Sequence, residues 1–217
     1  MNLNIIAGGA LALCLSSAAA GAAVMTFDGL GLNNADPIPA GYGGIANMGV
    51  SGQVRTGFGN AGAADDSHLA YWDNDYSDLV DVVYVSSSLP YVGEFSFATA
   101  DGYTGTISSF DVGSYGRGDH SGASFAIYDS GWNLLWSHDA VPVPGAGMTL
   151  TPGVSFTGIA YLQWGTDWNI GLDNIAYSVA ETSVTPAPVP LPAGLPLLGA
   201  GVLALGGLRL RSRRKAG

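Results

Sequence analysis

"ASFAIYDSGWNLLWS" occupies residues 123–137. Apolar and polar residues alternate on either side of Asp129-Ser130-Gly131. A period of two marks a strand with one buried face, and Asp, Ser and Gly are turn formers. The stretch therefore predicts a β-hairpin. The same pattern recurs in both directions along the chain. "VMTFD" (24–28), "DVVYVSS" (81–87), "GEFSFAT" (93–99) and "TISSFDV" (106–112) precede the hairpin. "MTLT" (148–151), "FTGIAYLQW" (156–164) and "IGLDNIAYSV" (170–179) follow it. The Gly-rich span 29–60 predicts long loops with one strand over 49–55. Gly and Pro punctuate these runs at intervals suited to short strands, and no stretch carries the 3.6-residue period of an amphipathic helix. The expectation is an all-β domain over 23–179, an antiparallel β-sandwich of about nine strands.

Charge is distributed unevenly. The chain has 217 residues, with 7 Lys+Arg against 17 Asp+Glu. Only Arg55 and Arg117 lie among the acids; Arg209, Arg211, Arg213, Arg214 and Lys215 close the chain. So acidic a body repels a phosphate backbone, which excludes nucleic acid as a partner. It suits an exported domain that holds hard cations such as calcium.

Both ends read as targeting segments. "IIAGGALALCL" (5–15) is an apolar run of signal-peptide length, and Ala20-Gly21-Ala22 gives a small-x-small cleavage signal before Ala23. Residues 1–22 are thus expected to be a signal helix removed by signal peptidase. Met1 to Asn4 contain no Lys or Arg, which leaves room for a start a few codons upstream. Cys14, the single cysteine, lies inside this leader, so the mature domain has neither disulfide nor thiol nucleophile. Residues 180–190 ("AETSVTPAPVP") read as a proline-stiffened stalk. From Leu195 to Leu208 every residue is apolar, Gly or Pro. About 14 helical residues reach only about 21 Å, short of a bilayer core of about 30 Å. Such a transmembrane helix spans only if its flanks enter the interface and the arginines snorkel. The basic tail then stays cytoplasmic.

The closing stretch "VPLPAGLPLLGAGVLALGGLRLRSRRK" (189–215) resembles the PEP-CTERM class of protein-sorting signal in its VPLPA variant. The motif residues are Val189, Pro190, Leu191, Pro192 and Ala193; the arginine cluster is Arg209, Arg211, Arg213 and Arg214. The resemblance implies recognition by an exosortase, export through the inner membrane of a Gram-negative cell, and delivery to the surface or an extracellular polysaccharide matrix. A sortase signal of the LPxTG kind has the same order of parts, but Leu191-Pro192-Ala193-Gly194 lacks its Thr. The domain itself is similar in pattern to jelly-roll sandwiches of the carbohydrate-binding-module or galactose-binding-like kind. That likeness rests on "FAIYDSGWNLLWS" and the closing "GLDNIAY".

Several residues are candidates for chemistry. Asp28 ends the first strand and Asp173 lies in the last, and first and last strands of sandwiches are often neighbours. Related modules hold a structural calcium there, so the two carboxylates either share a calcium or serve as backbone-bonding turn residues. "DNDYSD" (73–78) begins like a calcium loop but has Asp78 where an EF-hand needs Gly, and Tyr84 where it needs Glu. "GFGNAG" (57–62) matches a dinucleotide fingerprint without a βαβ unit around it. Arg117-Gly118-Asp119 spells an integrin-type tripeptide in a Gly/Ser loop. His68, His120 and His138 have no metal-ligand spacing. Trp136 and Trp164 fit a core. Trp132 and Trp168 fall in loops, where they either stack on sugars or pack at partly wet positions.

These readings converge on an exported, non-enzymatic surface protein. Its sandwich binds glycan, in particular extracellular polysaccharide, or is a structural matrix component without a specific ligand. A glycoside hydrolase ranks third, because no carboxylate pair stands out among the 17 acids.

Overall fold

The chain divides into two units, Met1–Thr182 and Ser183–Gly217. The computed structural model describes residues 21–60, 68–87, 91–165 and 168–182, all in the first unit. The leader helix, the sorting-signal residues and the transmembrane helix expected from the sequence lie outside the described residues. Among those described, no helix is long and apolar enough to cross a membrane.

The described residues form an all-β domain of twelve strands in two antiparallel sheets. In the first sheet β10 (Val154–Thr157), β6 (Tyr103–Ser114), β12 (Ile170–Glu181), β4 (Val82–Val85) and β3 (Leu69–Trp72) follow one another. Here β1 (Gly21–Met25) also pairs with β12, and β9 (Met148–Leu150) with β6. The second sheet runs β2 (Met48–Arg55), β5 (Val92–Thr99), β11 (Ile159–Gly165), β7 (His120–Asp129) and β8 (Leu134–Val143).

The opening hairpin is β7–β8, and its turn is built by one carboxylate. Asp129 Oδ1 accepts the N–H groups of Gly131 at 2.8 Å and Asn133 at 2.9 Å. The Asn133 side-chain amide donates to the same carboxylate at 2.9 Å, and that bond first, with the backbone bonds after it, holds the Asp129 pKa below its ordinary value. Trp132, inside this turn, adopts the left-handed region at φ 62°. Inward residues of both sheets make a common core, in which Phe27, Phe95, Phe97, Phe110, Phe125 and Trp164 are fully buried. Each such side chain contributes about 1.5–3 kcal/mol by leaving water. Trp136 packs edge-on against Phe110 at the rim of this core.

Three features differ from the sequence reading. The run 156–164 is two strands rather than one: Gly158, at φ 75°, turns the chain between β10 in the first sheet and β11 in the second. The period of two continues across that glycine, so alternation alone does not reveal the change of sheet. The short β3, Leu69–Trp72, has no counterpart among the predicted strands. At the ends, β1 begins at Gly21, within the expected leader, and β12 runs on to Glu181, taking the first two stalk residues.

Candidate functional site

An aromatic hollow opens on the outer face of the first sheet, and it is built from β3 and β4 upward. On these strands Leu69, Tyr71, Val83 and Val85 join the main core, which turns Ala70, Trp72, Val82 and Tyr84 outward. Ala70 pairs with Tyr84 and Trp72 with Val82, so each large ring stands beside a smaller neighbour. Across the next two strands Gly171 pairs with Gly113. These two glycines leave a flat seat on which Tyr76 lies. A Cβ on Gly113 would come within 2.4 Å of the Tyr76 carbonyl oxygen, and one on Gly171 within 2.7 Å of the Tyr76 ring.

The segment carrying Tyr76 is pinned at both sides. Ser77 N–H donates to the Ser114 carbonyl at 2.9 Å, Gly116 N–H to that of Asp75 at 2.7 Å, and Tyr115 N–H to that of Asn169 at 2.9 Å. Ser114 N–H in turn donates to Ser77 Oγ. The Tyr76 hydroxyl donates to the Trp168 carbonyl, tying the floor of the hollow to its wall. Asp75, Ser77 and Asp81 all adopt positive φ, at 72°, 57° and 61°. Left-handed backbone costs about 1–2 kcal/mol at a non-glycine residue, and such strain concentrates at functional loops.

Trp72, Tyr76, Tyr84, Ser86, Ser87, Tyr115 and Trp168 line the resulting cavity of about 480 Å³. Trp72 stands at 88° to Tyr84 and 82° to Tyr115, with centroids 5.9 and 5.7 Å away. Trp168 meets Tyr115 at 5.0 Å and keeps 38% of its surface exposed. Burial pushes the Tyr84 phenol above its ordinary pKa, and a hydrogen bond with Ser86 partly offsets that. None of these lining residues carries a charge. The hollow can therefore offer π faces, C–H contacts and hydroxyls.

Trp132 has a different setting, on the outer face of the second sheet. Its ring stacks on Tyr161 at 4.3 Å and 3°, while the Arg55 guanidinium lies 4.7 Å from its centroid. Arg55 (β2) and Tyr161 (β11) sit on strands either side of β5, and the half-buried indole packs against both. Beside it, fully buried Glu94 binds Arg55 at 2.6 Å, Gln53 at 2.5 Å and Gln163 at 2.6 Å. Gln163 also exchanges hydrogen bonds with the Gly59 backbone, so the described part of that glycine-rich run, 57–60, is tied to the second sheet at Gly59. Of the two loop tryptophans, Trp168 alone borders the hollow.

The carboxylates predicted for calcium come near one another because β1 runs along β12. Asp173 fills the gap where β1 ends and β4 begins on the same flank of β12. Its Oδ1 accepts the Phe27 N–H at 3.3 Å. Burial raises its pKa to about 6; backbone bonds from Asn174 and Phe27 lower it, and the charges of Asp28 and Asp111 raise it. Calcium takes six to eight oxygens. Among the described residues no group of three or more His, Cys, Asp or Glu is placed to hold a metal. Elsewhere, Arg117 pairs with Asp75 at 3.6 Å and Asp119 accepts the Gly145 N–H at 2.9 Å, so the Arg-Gly-Asp tripeptide is tied into local structure. Asp73 accepts from Asn34 Nδ2 at 2.9 Å in the loop that resembled a calcium site.

Sequence reading missed Trp72, Tyr76, Tyr84 and Tyr115. The signal was present at Tyr84, which alternates with valines that point inward. At Tyr76 and Tyr115 it was absent, because loop residues have no period.

No family model matches the chain, and no curated protein matches it. Among solved structures it is similar to an arabinose-bound α-L-arabinofuranosidase, with TM-score 0.36 and 10% identity over 72% of this chain. The chain spans 30% of that protein's length. It is also similar to the CBM22-1 xylan-binding domain from Paenibacillus barcinonensis, with TM-score 0.37 and 10% identity over 61% of this chain and 94% of that one. A third is the family 11 carbohydrate-binding module from Clostridium thermocellum, with TM-score 0.29 and 10% identity over 69% of this chain and 94% of that one. Scores this low carry neither fold nor function, and the architecture rests on the strand register above.

Proposed function

We propose that the domain is a glycan-binding module and that the aromatic hollow is its binding site. The observation that carries this reading is the hollow itself, with five aromatic side chains and two serines around one open cavity. Aromatic faces pack against the apolar C–H faces of sugar rings, while hydroxyls at the rim fix orientation. The described lining residues supply aromatic faces and hydroxyls, the means of binding a sugar. Trp168 is the residue with most to contribute, being exposed and free to meet a ligand at its outer side. Binding of the full-length chain to a polysaccharide array, beside its Trp168→Ala variant, tests this. Competable binding that the variant loses supports the site; equal binding by the variant refutes it. The alternative, a matrix component without ligand, predicts silence from both.

The setting belongs to the same proposal. The domain is a jelly-roll-like sandwich, and consecutive strands pass repeatedly between the sheets in keeping with that topology. It is exported by the 1–22 leader and sorted to the surface through the 189–215 signal. The exported form should then lack the basic tail; recovery of intact Arg209 to Lys215 in surface material, by mass spectrometry, would count against exosortase processing. Calcium between Asp28 and Asp173 is a separate proposal. Equal melting temperatures in excess calcium and excess chelator would dismiss it.

A further inference from the structure

The hollow has a second property, and it rests on the glycan reading: its walls and surroundings suit a positive charge. Tyr84 and Tyr115 both stand nearly perpendicular to Trp72. Tyr76 and Trp168 meet Tyr115 at 64° and 65°. Rings set this way turn several faces and edges toward one volume instead of forming a flat platform. Faces of Trp and Tyr carry negative electrostatic potential, and an aromatic box collects it where a compact cation can sit.

Charge around the hollow has the matching sign. Between Gly21 and Thr182 the only Lys or Arg residues are Arg55 and Arg117. Each is ion-paired, to Glu94 and to Asp75, and neither lines the hollow. The segment that supplies Tyr76 carries Asp73, Asp75 and Asp78. Carboxylates within about 8–10 Å act across physiological salt, and more distant ones are screened. A uronic acid or sulfated glycan would bring its anion beside these acids, where the one nearby cation in sequence, Arg117, is held by Asp75 and does not line the hollow.

We infer that the hollow takes a glycan bearing free ammonium groups: a polysaccharide of hexosamine with its amines unacylated. The ammonium occupies the aromatic box, and ring hydroxyls meet Ser86 and Ser87. The test is calorimetric titration of the full-length chain with glucosamine oligomers, their fully N-acetylated counterparts and a polyuronate. Glucosamine oligomers should bind about tenfold or more tighter than the acetylated ones, and polyuronate should not bind. Trp168→Leu, which keeps apolar packing on Tyr115, should remove that preference with its melting temperature retained. If the preference survives in Trp168→Leu, it is diffuse charge attraction to an acidic protein and the inference fails. If acetylated or neutral oligomers bind equally well at Trp168, the inference fails while the glycan reading stands. If no glycan binds, both fall together.

Discussion

Gly113 and Gly171 set the floor of the hollow by what they lack. The atom nearest a Cβ on Gly113 is backbone, the Tyr76 carbonyl oxygen, so no side-chain rotation relieves the clash. Gly113→Ala should lift the Tyr76 segment and cost about 1–3 kcal/mol. The accompanying loss of glycan binding would occur with every aromatic still in place, and denaturant unfolding read beside titration checks both. Glu94 is a second decisive residue. Glu94→Ala removes the buried carboxylate that binds Arg55, whose side chain is only 13% exposed, and two glutamine amides. Breaking such a pair costs about 3–5 kcal/mol; a loss below 1 kcal/mol would show the network to be ornamental. Asp173 acts through pH. Its folded pKa of about 6 lies above the ordinary 3.8, so the native state holds the extra proton between those values. Stability from this group is therefore full below about pH 4, falls as pH rises toward 6, and is flat above. Asp173→Asn keeps an oxygen for the Phe27 N–H and removes the titration. In chelator, the variant's melting temperature should gain on the parent between pH 4.5 and pH 7.5, by an amount worth at most about 3 kcal/mol. A constant gap would contradict the assignment.

At the scale of elements, the switch at Gly158 decides which sheet receives β10 and which β11. Its φ of 75° is the constraint, since nothing lies within 4 Å of where a Cβ would stand. Gly158→Ala should then cost about 1–2 kcal/mol and lower the melting temperature by about 2–8 °C. An unchanged melting temperature would show the turn to be adaptable. This element also shows where sequence reading stops. Strands such as β5 and the β7–β8 hairpin were legible because Phe95, Phe97, Phe125 and Ile127 alternate with outward residues and Asp129 marks the turn. The split at Gly158 was not, because a sheet change preserves alternation. The strand β3 was hidden for another reason: its residues are covered on both faces, giving "LAYW" the look of a short apolar run. The hollow was legible only at Trp168. Its other walls come together through the pairings of β12 with β4 and β6, which no local pattern encodes.

At the scale of the molecule, both outward sheet faces carry aromatic side chains among the described residues, in different settings. On the second sheet Trp132 packs against Tyr161 and Arg55. On the first sheet the rings surround open space, under an acidic body with its two cations already paired. Hydrogen–deuterium exchange of the full-length chain, with and without saturating glucosamine oligomers and their acetylated counterparts, locates binding most directly. Protection confined to the segments around Tyr76, Ser86, Tyr115 and Trp168 is the predicted result. Protection around Arg55 and Trp132 instead, or none with either oligomer, would contradict the assignment of the hollow as the glycan site.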